Sequence, residues 1–259
     1  MKINILIATH RQVNLPKLQG YLLVQCGSKI NDKIKTEYQR DDDGENISEL
    51  NPYYSELTGL YWAWKNLETD ILGLVHYRRF FVKNKSAKEL LDRVLDADSI
   101  VKLLESKDIV VPKKTNYYIE TLESHYSNTL NDSHIDVLRN IIMTNYPSDI
   151  HVFNEVMQQT GGYMYNMFIA NKKISDEYCE WLFPILDDAY KIIGNKGMTE
   201  FEKRYVGRLS ELLFNVWLKK TGYSIIEAPY KYEGKINWVY KIYRFLLAKL
   251  MKKKYTESF

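Results

Sequence analysis

The amino-acid sequence predicts an α/β domain with one mixed central sheet and helices on both of its faces. Short apolar runs of strand length alternate with amphipathic stretches of helix length along most of the chain. The apolar runs of strand length lie at residues 2–8, 71–75, 108–112, 161–170 and 223–227. With 259 residues, 45% of them hydrophobic, the chain is long enough to bury a large core. We therefore expect one folded domain over residues 1–230, followed by a tail over residues 231–259.

The first predicted strand, residues 2–8, runs into the polar turn Thr9-His10-Arg11. A strand that ends in polar side chains is a typical start for a nucleotide-binding α/β sheet. The acidic, glycine-containing run at residues 41–46 then marks a loop. Such a run is either a solvated surface turn or a metal site, and we expect the turn.

A helix is predicted over residues 51–66, because Asn51 is a good cap and Pro52 suits the first helical position. Apolar side chains at helical spacing form one stripe that should pack on the sheet. The stripe contains Tyr53, Leu57, Leu60, Tyr61 and Trp64. Glu56 lies at the margin of the stripe, whereas Trp62 lies on the opposite face. Glu56 therefore either reaches a cleft between helix and sheet or is a partly covered surface carboxylate.

The apolar run at residues 71–75 ends in the tetrapeptide His76-Tyr77-Arg78-Arg79. Ligands of α/β sheets bind beyond the carboxyl ends of the strands, so two guanidinium groups and an imidazole stand where a ligand is expected. The planar guanidinium donates two parallel hydrogen bonds to a phosphate and stays charged at any working pH. The tetrapeptide predicts a phosphate-bearing substrate, and the alternative is an ordinary basic strand end solvated at the surface.

An acidic pair, Asp96 and Asp98, has the Asp-X-Asp spacing of a metal motif found in sugar-nucleotide enzymes. The residues that follow, 99–104, have helical spacing. Carboxylates just before or at a helix amino terminus are favoured by capping and by the helix dipole. We therefore interpret the pair as a helix cap and predict no metal site there.

Two later segments combine apolar runs with polar side chains. The predicted strand 161–170 is interrupted by Asn166, whose amide needs a partner from the backbone, from a bulge or from a ligand. A helix predicted over residues 206–219 has a buried stripe of Val206, Leu209, Leu212, Leu213, Val216 and Trp217. Its opposite face carries Arg208, Glu211 and Asn215. That face is either solvated or lines a cleft.

Composition excludes several classes of function. The 36 Lys and Arg against 33 Asp and Glu leave a net charge of +3, which is too small to predict nucleic-acid binding. The 21 tyrosines suit sugar or base stacking, although they also serve in cores. Cys26 and Cys179 have no paired spacing, so we expect a reducing cytoplasm without disulfides. No signal-peptide pattern and no apolar run of about 18 residues is present.

The tail has a different character. Residues 237–254 project as a basic amphipathic helix, with apolar side chains on one broad side and lysine and arginine on the other. Such a helix either docks on the core or lies in the interface of an anionic membrane. The lysines at 252–254 favour the membrane surface, because a core helix does not require them. We expect a cytoplasmic protein attached peripherally to the inner face of the cell membrane.

Several runs occur together in one order, and this set resembles a known family. The runs are residues 46–48, 56–66, 73–80, 165–169, 178–183 and 211–213. They resemble bacterial glycosyltransferases of capsule, exopolysaccharide and O-antigen synthesis that were long catalogued only as a domain of unknown function, here with the His-Tyr-Arg-Arg signature. The resemblance covers residues 2 to about 230.

This resemblance implies a GT-A-like fold and an activity. The expected reaction is transfer of a hexose, galactofuranose or galactose, from its UDP form to a growing surface polysaccharide or an undecaprenyl-linked acceptor. An inverting reaction needs a base for the acceptor hydroxyl and a group that stabilises the departing diphosphate. We predict Glu211 as the first candidate base and Glu56 as the second.

The basic strand end is predicted to replace the divalent cation that many GT-A enzymes hold. His76, Arg78 and Arg79 would clamp the diphosphate, so no cofactor is required, and a bound divalent cation is the alternative. Further contacts with the donor are predicted for Thr9, His10, Asn46 and Asn166. The alternative function is a non-catalytic phosphate-binding subunit of polysaccharide assembly, which would use the same arginines and need no base.

Overall fold

A computed structural model of the chain describes residues 1–34, 37–84 and 86–232. The predicted tail helix at residues 237–254 lies outside the described residues. The strands are β1 (Ile3–Thr9), β2 (Tyr21–Gln25), β3 (Gln39–Arg40), β4 (Ile71–His76), β5 (Arg79–Phe81), β6 (Ile109–Pro112), β7 (Thr115–Asn116), β8 (Gly161–Gly162), β9 (Phe168–Asn171), β10 (Ile225–Ala228) and β11 (Tyr230–Tyr232). The α-helices are α1 (Asn51–Tyr54), α2 (Leu57–Asn66), α3 (Leu90–Arg93), α4 (Ala97–Ser106), α5 (Leu122–Thr129), α6 (Ser133–Asn145), α7 (Ile150–Met157), α8 (Lys172–Ile193), α9 (Glu200–Lys203) and α10 (Tyr205–Thr221).

The central sheet is mixed, with the strand order β10-β6-β9-β4-β1-β2-β3. Strand β4 is parallel to β1, and β10 is parallel to β6. Strand β9 runs antiparallel to both of its neighbours, β4 and β6. Strands β1, β4, β6 and β10 therefore end at one edge of the sheet. At that edge β5 continues from β4 and pairs with β11, with Tyr232 opposite Arg79.

Apolar side chains cover both faces of the sheet, as the sequence predicts. Along β1, Leu6 and Ala8 belong to the larger core with α2, α8 and α10, whereas Ile5 and Ile7 belong to a smaller core with α4. This alternation follows from the two-residue period of a strand. Gly73 lies in the centre of β4, where a Cβ atom would be 2.8 Å from Ile5 and 2.9 Å from Ile169. A side chain at that position would overfill the smaller core.

The local predictions with strong sequence signals are confirmed. The apolar runs at residues 2–8, 71–75, 108–112 and 223–227 form β1, β4, β6 and β10 within one residue or two. Asp96 caps α4, with its Oδ1 accepting from the Ser99 amide at 2.9 Å, so the acidic pair is a cap. Of the described helices, none is both long and apolar enough to cross a bilayer.

The acidic loop at residues 41–46 is a turn, as expected, with residues 43–45 exposed, but its first residue is not solvated. Asp41 is fully buried and accepts hydrogen bonds from the amides of Gly27 and Ser28 at 2.8 and 2.9 Å. The Ser48 hydroxyl donates to it at 2.5 Å. A buried carboxylate with these donors ties the loop to the end of β2, which composition alone could not reveal.

The predicted helix at residues 51–66 is wrong as a single element. It breaks at Ser55, which has a φ of 52°, into α1 and α2. The break changes the phase of the second helix, and α2 packs against β1 and α8. Trp62 is consequently buried, at 4% exposure, rather than on an outer face. Glu56 lies at the break, directly before α2.

The predicted strand at residues 161–170 is also divided, into β8 and β9. Tyr165 and Asn166 between them have φ angles of 78° and 51°, so the backbone is left-handed there. The polar face of α10 holds this connection. Asn215 accepts from the Tyr163 amide at 2.7 Å and donates to the Tyr163 carbonyl at 3.0 Å. The predicted cleft-lining face of α10 thus contacts this segment.

The Asn166 amide has partners within the protein on both sides. Its Nδ2 donates to Glu56 Oε1 at 2.7 Å and to the Gly207 carbonyl at 3.0 Å. Its Oδ1 accepts from the Ser210 hydroxyl at 2.7 Å. Buried polar groups with complete hydrogen bonding define one arrangement and penalise others. Asn166 therefore links the break before α2 to α10.

We expect Asn166→Asp to destabilise the protein at pH 8 by about 2–4 kcal/mol, because the new carboxylate would face the oxygens of Glu56 and Gly207. Those oxygens should raise the pKa of the new carboxyl, so the penalty grows as pH rises and shrinks in acid. Urea unfolding at pH 8 and pH 5 measures both effects. The control is Asn145→Asp, an exposed amide that donates to Asp188 at 3.1 Å. Equal stability of the two variants at pH 8 would contradict this account.

Candidate active site

Residues with strained backbone converge at the carboxyl edge of the sheet. Ser55, Tyr165 and Asn166 all have positive φ angles, although none is glycine. Each such residue costs of the order of 1 kcal/mol or more, and such residues concentrate at functional sites. Here the strain places Glu56 opposite His76 at the end of β4, with a Glu56 Oε1 to His76 Nε2 distance of 3.8 Å.

The sequence-predicted residues Glu56 and His76 form a buried pair. His76 Nε2 is 2.8 Å from the Tyr165 carbonyl oxygen, so this nitrogen carries the proton and donates. Burial lowers the pKa of His76, and the charge of Arg79 adds to that effect, although Glu56 opposes it. Burial opposes ionisation of Glu56, but His76 and the Asn166 amide lower its pKa overall. The charge of each group therefore favours the charged form of the other, while burial opposes both charges.

Glu211 projects from α10 toward the same place. Its Oε1 accepts a hydrogen bond from the Tyr165 amide at 3.1 Å. Burial raises the pKa of Glu211 to about 7, and the charge of Glu56 acts in the same direction. The charges of Arg208 and Arg79 oppose the shift. The structure thus brings both predicted carboxylates together, and it gives Glu211 a pKa suited to proton transfer near neutral pH.

The two arginines of the tetrapeptide are held by tyrosine rings. The Arg79 guanidinium lies 4.4 Å from the Tyr165 ring centroid and 5.4 Å from that of Tyr232. Arg78 donates to the Tyr232 hydroxyl at 3.2 Å and lies 5.2 Å from the Tyr77 ring centroid. In the described part of the chain, neither guanidinium has a carboxylate within ion-pair distance. Stacking on aromatic rings orients the guanidinium without neutralising it.

Three further arginines, Arg11, Arg204 and Arg208, act on residues of the site, and none was predicted as a site residue. Arg11 lies 4.9 Å from the Tyr77 ring centroid, at the end of β1. Arg204 donates from Nε to the Ser55 hydroxyl at 3.2 Å. Its charge contributes to lowering the pKa of His10, Glu56 and His76. The charge of Arg208 acts to lower the pKa of Glu211. We call Arg11, Arg78, Arg79, Arg204 and Arg208 the arginine cluster.

The remaining predicted donor contacts have local structural roles. His10 packs edge-on against Tyr77, with 5.6 Å between ring centroids, and so lies beside the arginine cluster. Thr9 donates to the Arg11 carbonyl at 2.7 Å and thereby shapes the turn after β1. Asn46 donates to the Gly44 carbonyl at 2.8 Å within its own loop. Contacts of these side chains with a donor stay predictions, as does that of Asn166.

No metal-binding group is evident in the residues that the structure describes. Within residues 1–34, 37–84 and 86–232, no three or more His, Cys, Asp or Glu side chains are arranged to hold a metal ion. Both cysteines are buried, and burial raises the pKa of each thiol far above its ordinary value. The arginine cluster places positive charge at this edge of the sheet.

Comparison with known proteins agrees with the fold. A solved structure of the bifunctional glycosyltransferase WbbM in its apo form superposes with a TM-score of 0.82 and 26% sequence identity. The match covers 91% of this chain and 46% of that one, so the chain spans less than half the length of WbbM. No curated protein matches the sequence. The family model described as "Domain of unknown function (DUF4422)" matches residues 4–222, and the chain therefore belongs to this family.

Proposed function

We propose that this protein is a glycosyltransferase that moves a hexose from a UDP-sugar to a saccharide or undecaprenyl-linked acceptor. The observation that carries the proposal is the arginine cluster at the carboxyl edge of the sheet, beside the largely buried carboxylate Glu211. The likeness to WbbM supports the reaction class. The family resemblance favours galactofuranose or galactose as the sugar, and the basic tail favours an acceptor at the membrane surface.

The first chemical requirement is a site for the diphosphate of the donor. The leaving UDP carries additional negative charge as its bond to the sugar breaks, so positioned cations stabilise the transition state more than the ground state. Arg78 and Arg79 are oriented by Tyr77, Tyr165 and Tyr232 and keep their charge for a ligand. Their planar forks suit phosphate oxygens, which supports a role that a divalent cation has in other transferases.

The second requirement is a base for the acceptor. In an inverting reaction the acceptor oxygen bonds to the anomeric carbon while the bond from that carbon to UDP breaks, and UDP leaves with the electron pair. The proton of the acceptor hydroxyl goes to the base. Glu211 fits this role, because a carboxylate with a pKa of about 7 is basic enough to take the proton and is partly ionised at neutral pH.

Glu56 is better placed as a positioning residue. Its Oε1 accepts from Asn166 at 2.7 Å and lies 3.8 Å from His76 Nε2, so this oxygen is engaged within the protein. His76 donates to the Tyr165 carbonyl, and the Tyr165 amide donates to Glu211. Glu56, beside His76, therefore helps to fix the backbone segment that binds Glu211. We therefore assign proton transfer to Glu211 and alignment to the Glu56 and His76 pair.

The proposal predicts selective stabilisation by one nucleotide class. A ligand that binds only the native state raises the melting temperature by mass action. We expect UDP and UDP-galactofuranose or UDP-galactose to raise it, and GDP, CMP and dTDP sugars to have smaller effects. Release of UDP from the sugar donor in the absence of an acceptor then distinguishes an enzyme from a non-catalytic phosphate-binding subunit. UDP binding without any release, with or without acceptor extracts, would contradict catalysis.

We expect Arg79→Ala to lower kcat/KM for the donor by about 10²–10³-fold, because one charge-stabilising group is lost. Arg79→Lys should recover only part of the loss, since an ammonium lacks the planar fork. The matched control is Arg139→Ala, an α6 arginine paired with Glu123 at 2.7 Å, which should leave turnover unchanged. Activity of the wild type should persist in chelator. Full inhibition by chelator, reversed by Mn²⁺, would contradict replacement of the metal by arginines.

The raised pKa of Glu211 predicts how the activity depends on pH. With a pKa of about 7, its ionised fraction rises about tenfold between pH 6 and pH 8, and kcat/KM should rise with it. Glu211→Gln should lose about 10³-fold in kcat, abolish this rise and bind UDP within about threefold of wild type. The control is Glu180→Gln, on the exposed side of α8. Parallel loss of UDP affinity would place Glu211 in donor binding instead.

The same variant has an expected effect on stability. The folded-state pKa of Glu211 is raised, so its contribution to stability is present in acid and is lost as pH rises toward 7. Glu211→Gln removes this loss and should raise the unfolding free energy by about 1–3 kcal/mol at pH 8. At pH 4 the two proteins should differ little. A less stable Glu211→Gln at pH 8 would contradict the raised pKa.

A further inference from the structure

A second polar cluster lies on the loop and helix that follow β6. Strand β6 ends at the same edge of the sheet as β4, and the loop after it returns through β7, which pairs with β8. The Tyr117 amide donates to the Thr160 carbonyl at 2.7 Å, which fixes the loop beside the β8–β9 connection. Tyr163, which follows β8, is held by Asn215 of α10, and Asn215 also donates to the Glu211 carbonyl at 2.8 Å. The loop therefore adjoins the side of the site that contains Glu211.

The cluster is built around His125 of α5. The Tyr117 ring stacks on the imidazole, with 3.8 Å between centroids and 21° between planes. His125 Nδ1 is 2.8 Å from Glu120 Oε2. Glu120 is only 7% exposed, and its other oxygen accepts from Asn128 at 3.0 Å. The imidazole is thus held on one face and at one nitrogen.

These contacts define the proton positions on the ring. An ionised carboxylate only accepts hydrogen bonds, so the Nδ1 of His125 donates to Glu120. A neutral imidazole then presents an unprotonated Nε2 that can accept a hydrogen bond. Burial lowers the pKa of His125, as does Arg208, against the effect of Glu120. Among the described residues, His125 Nε2 has no hydrogen-bond partner, and the side chain remains 25% exposed.

A sugar acceptor needs more than a base. Its reacting hydroxyl must lie near Glu211, and its other hydroxyls lose hydrogen bonds to water unless the protein replaces them. A fixed nitrogen lone pair beside an aromatic ring suits a pyranose, which presents hydroxyl donors at its rim and C–H groups on its face. The Tyr117 and His125 stack combines an aromatic ring with a fixed nitrogen lone pair on the loop that adjoins the Glu211 side of the site.

We propose that His125, oriented by Glu120 and Tyr117, accepts a hydrogen bond from a second hydroxyl of the acceptor sugar and so forms an acceptor subsite for a hexopyranoside. The inference rests on the proposed function, because it assigns the acceptor side of the same transfer. His125 then contacts substrate, whereas Glu120 is a positioning residue that selects the tautomer.

Binding of octyl β-D-galactopyranoside to the full chain, measured by calorimetry with saturating UDP, tests the subsite. We expect His125→Gln to weaken galactoside binding about tenfold and to leave UDP affinity unchanged. The matched control is His151→Gln, an exposed histidine on α7, which should bind like wild type. Absence of galactoside binding by the wild type, or equal affinity of His125→Gln, would overturn the proposal.

Glu120→Gln provides a second variant that keeps the size of the side chain. Because Asn128 donates to one oxygen, the new amide nitrogen should face His125 and donate to Nδ1, which moves the ring proton to Nε2. We expect weaker galactoside binding, an unchanged melting temperature and a changed tautomer in ¹⁵N NMR spectra of the imidazole. A changed tautomer with unchanged galactoside affinity would overturn the proposal. Retained UDP binding and UDP-sugar hydrolysis would show that only the subsite, and not the transferase function, had failed.

Discussion

The stacking of Arg79 on Tyr165 is the interaction on which the site depends. It joins the start of β5 to the β8–β9 connection, and the Tyr232 ring adds β11, which is distant in the sequence. An acidic partner would hold the guanidinium equally well but would cancel its charge. Aromatic rings orient the cation and leave its charge for a ligand. Clustered positive charge destabilises the folded protein, and Glu56 and Glu211 offset part of that cost.

Two breaks in regular structure give this edge of the sheet its chemistry. A continuous helix through residue 55 would give Glu56 a different direction, and a continuous strand through residues 165 and 166 would carry Tyr165 past β4. Instead Asn166 binds Glu56 and Gly207, while Glu211 binds the Tyr165 amide, so the strained backbone is held by side chains from two helices. Local strain of this kind persists only where surrounding contacts determine it.

Sequence reasoning succeeded where the signal is local. Hydrophobic runs predicted the main strands, and the position of Asp96 before a helical stretch predicted its cap. The break at Ser55 has no comparable signal, because neither glycine nor proline stands there and tertiary contacts impose its φ of 52°. Arg204 could not be predicted as a site residue either, because it directly follows the short charged helix α9. In the sequence, a basic residue at that position looks like part of a solvent-exposed helix end. A residue of that kind enters the site only through packing between distant segments.

The two carboxylates of the site differ because their neighbours differ, although each is largely removed from water. Glu56 accepts from the Asn166 amide and lies 3.8 Å from His76, and the charge of His76 together with this hydrogen bond lowers its pKa. Glu211 has one backbone donor and feels the charge of Glu56, so burial dominates and raises its pKa to about 7. Paired acids whose surroundings separate their pKa values take different roles in a mechanism. The ionised Glu56 thus makes Glu211 a stronger base, and the arginine cluster limits how far that effect goes.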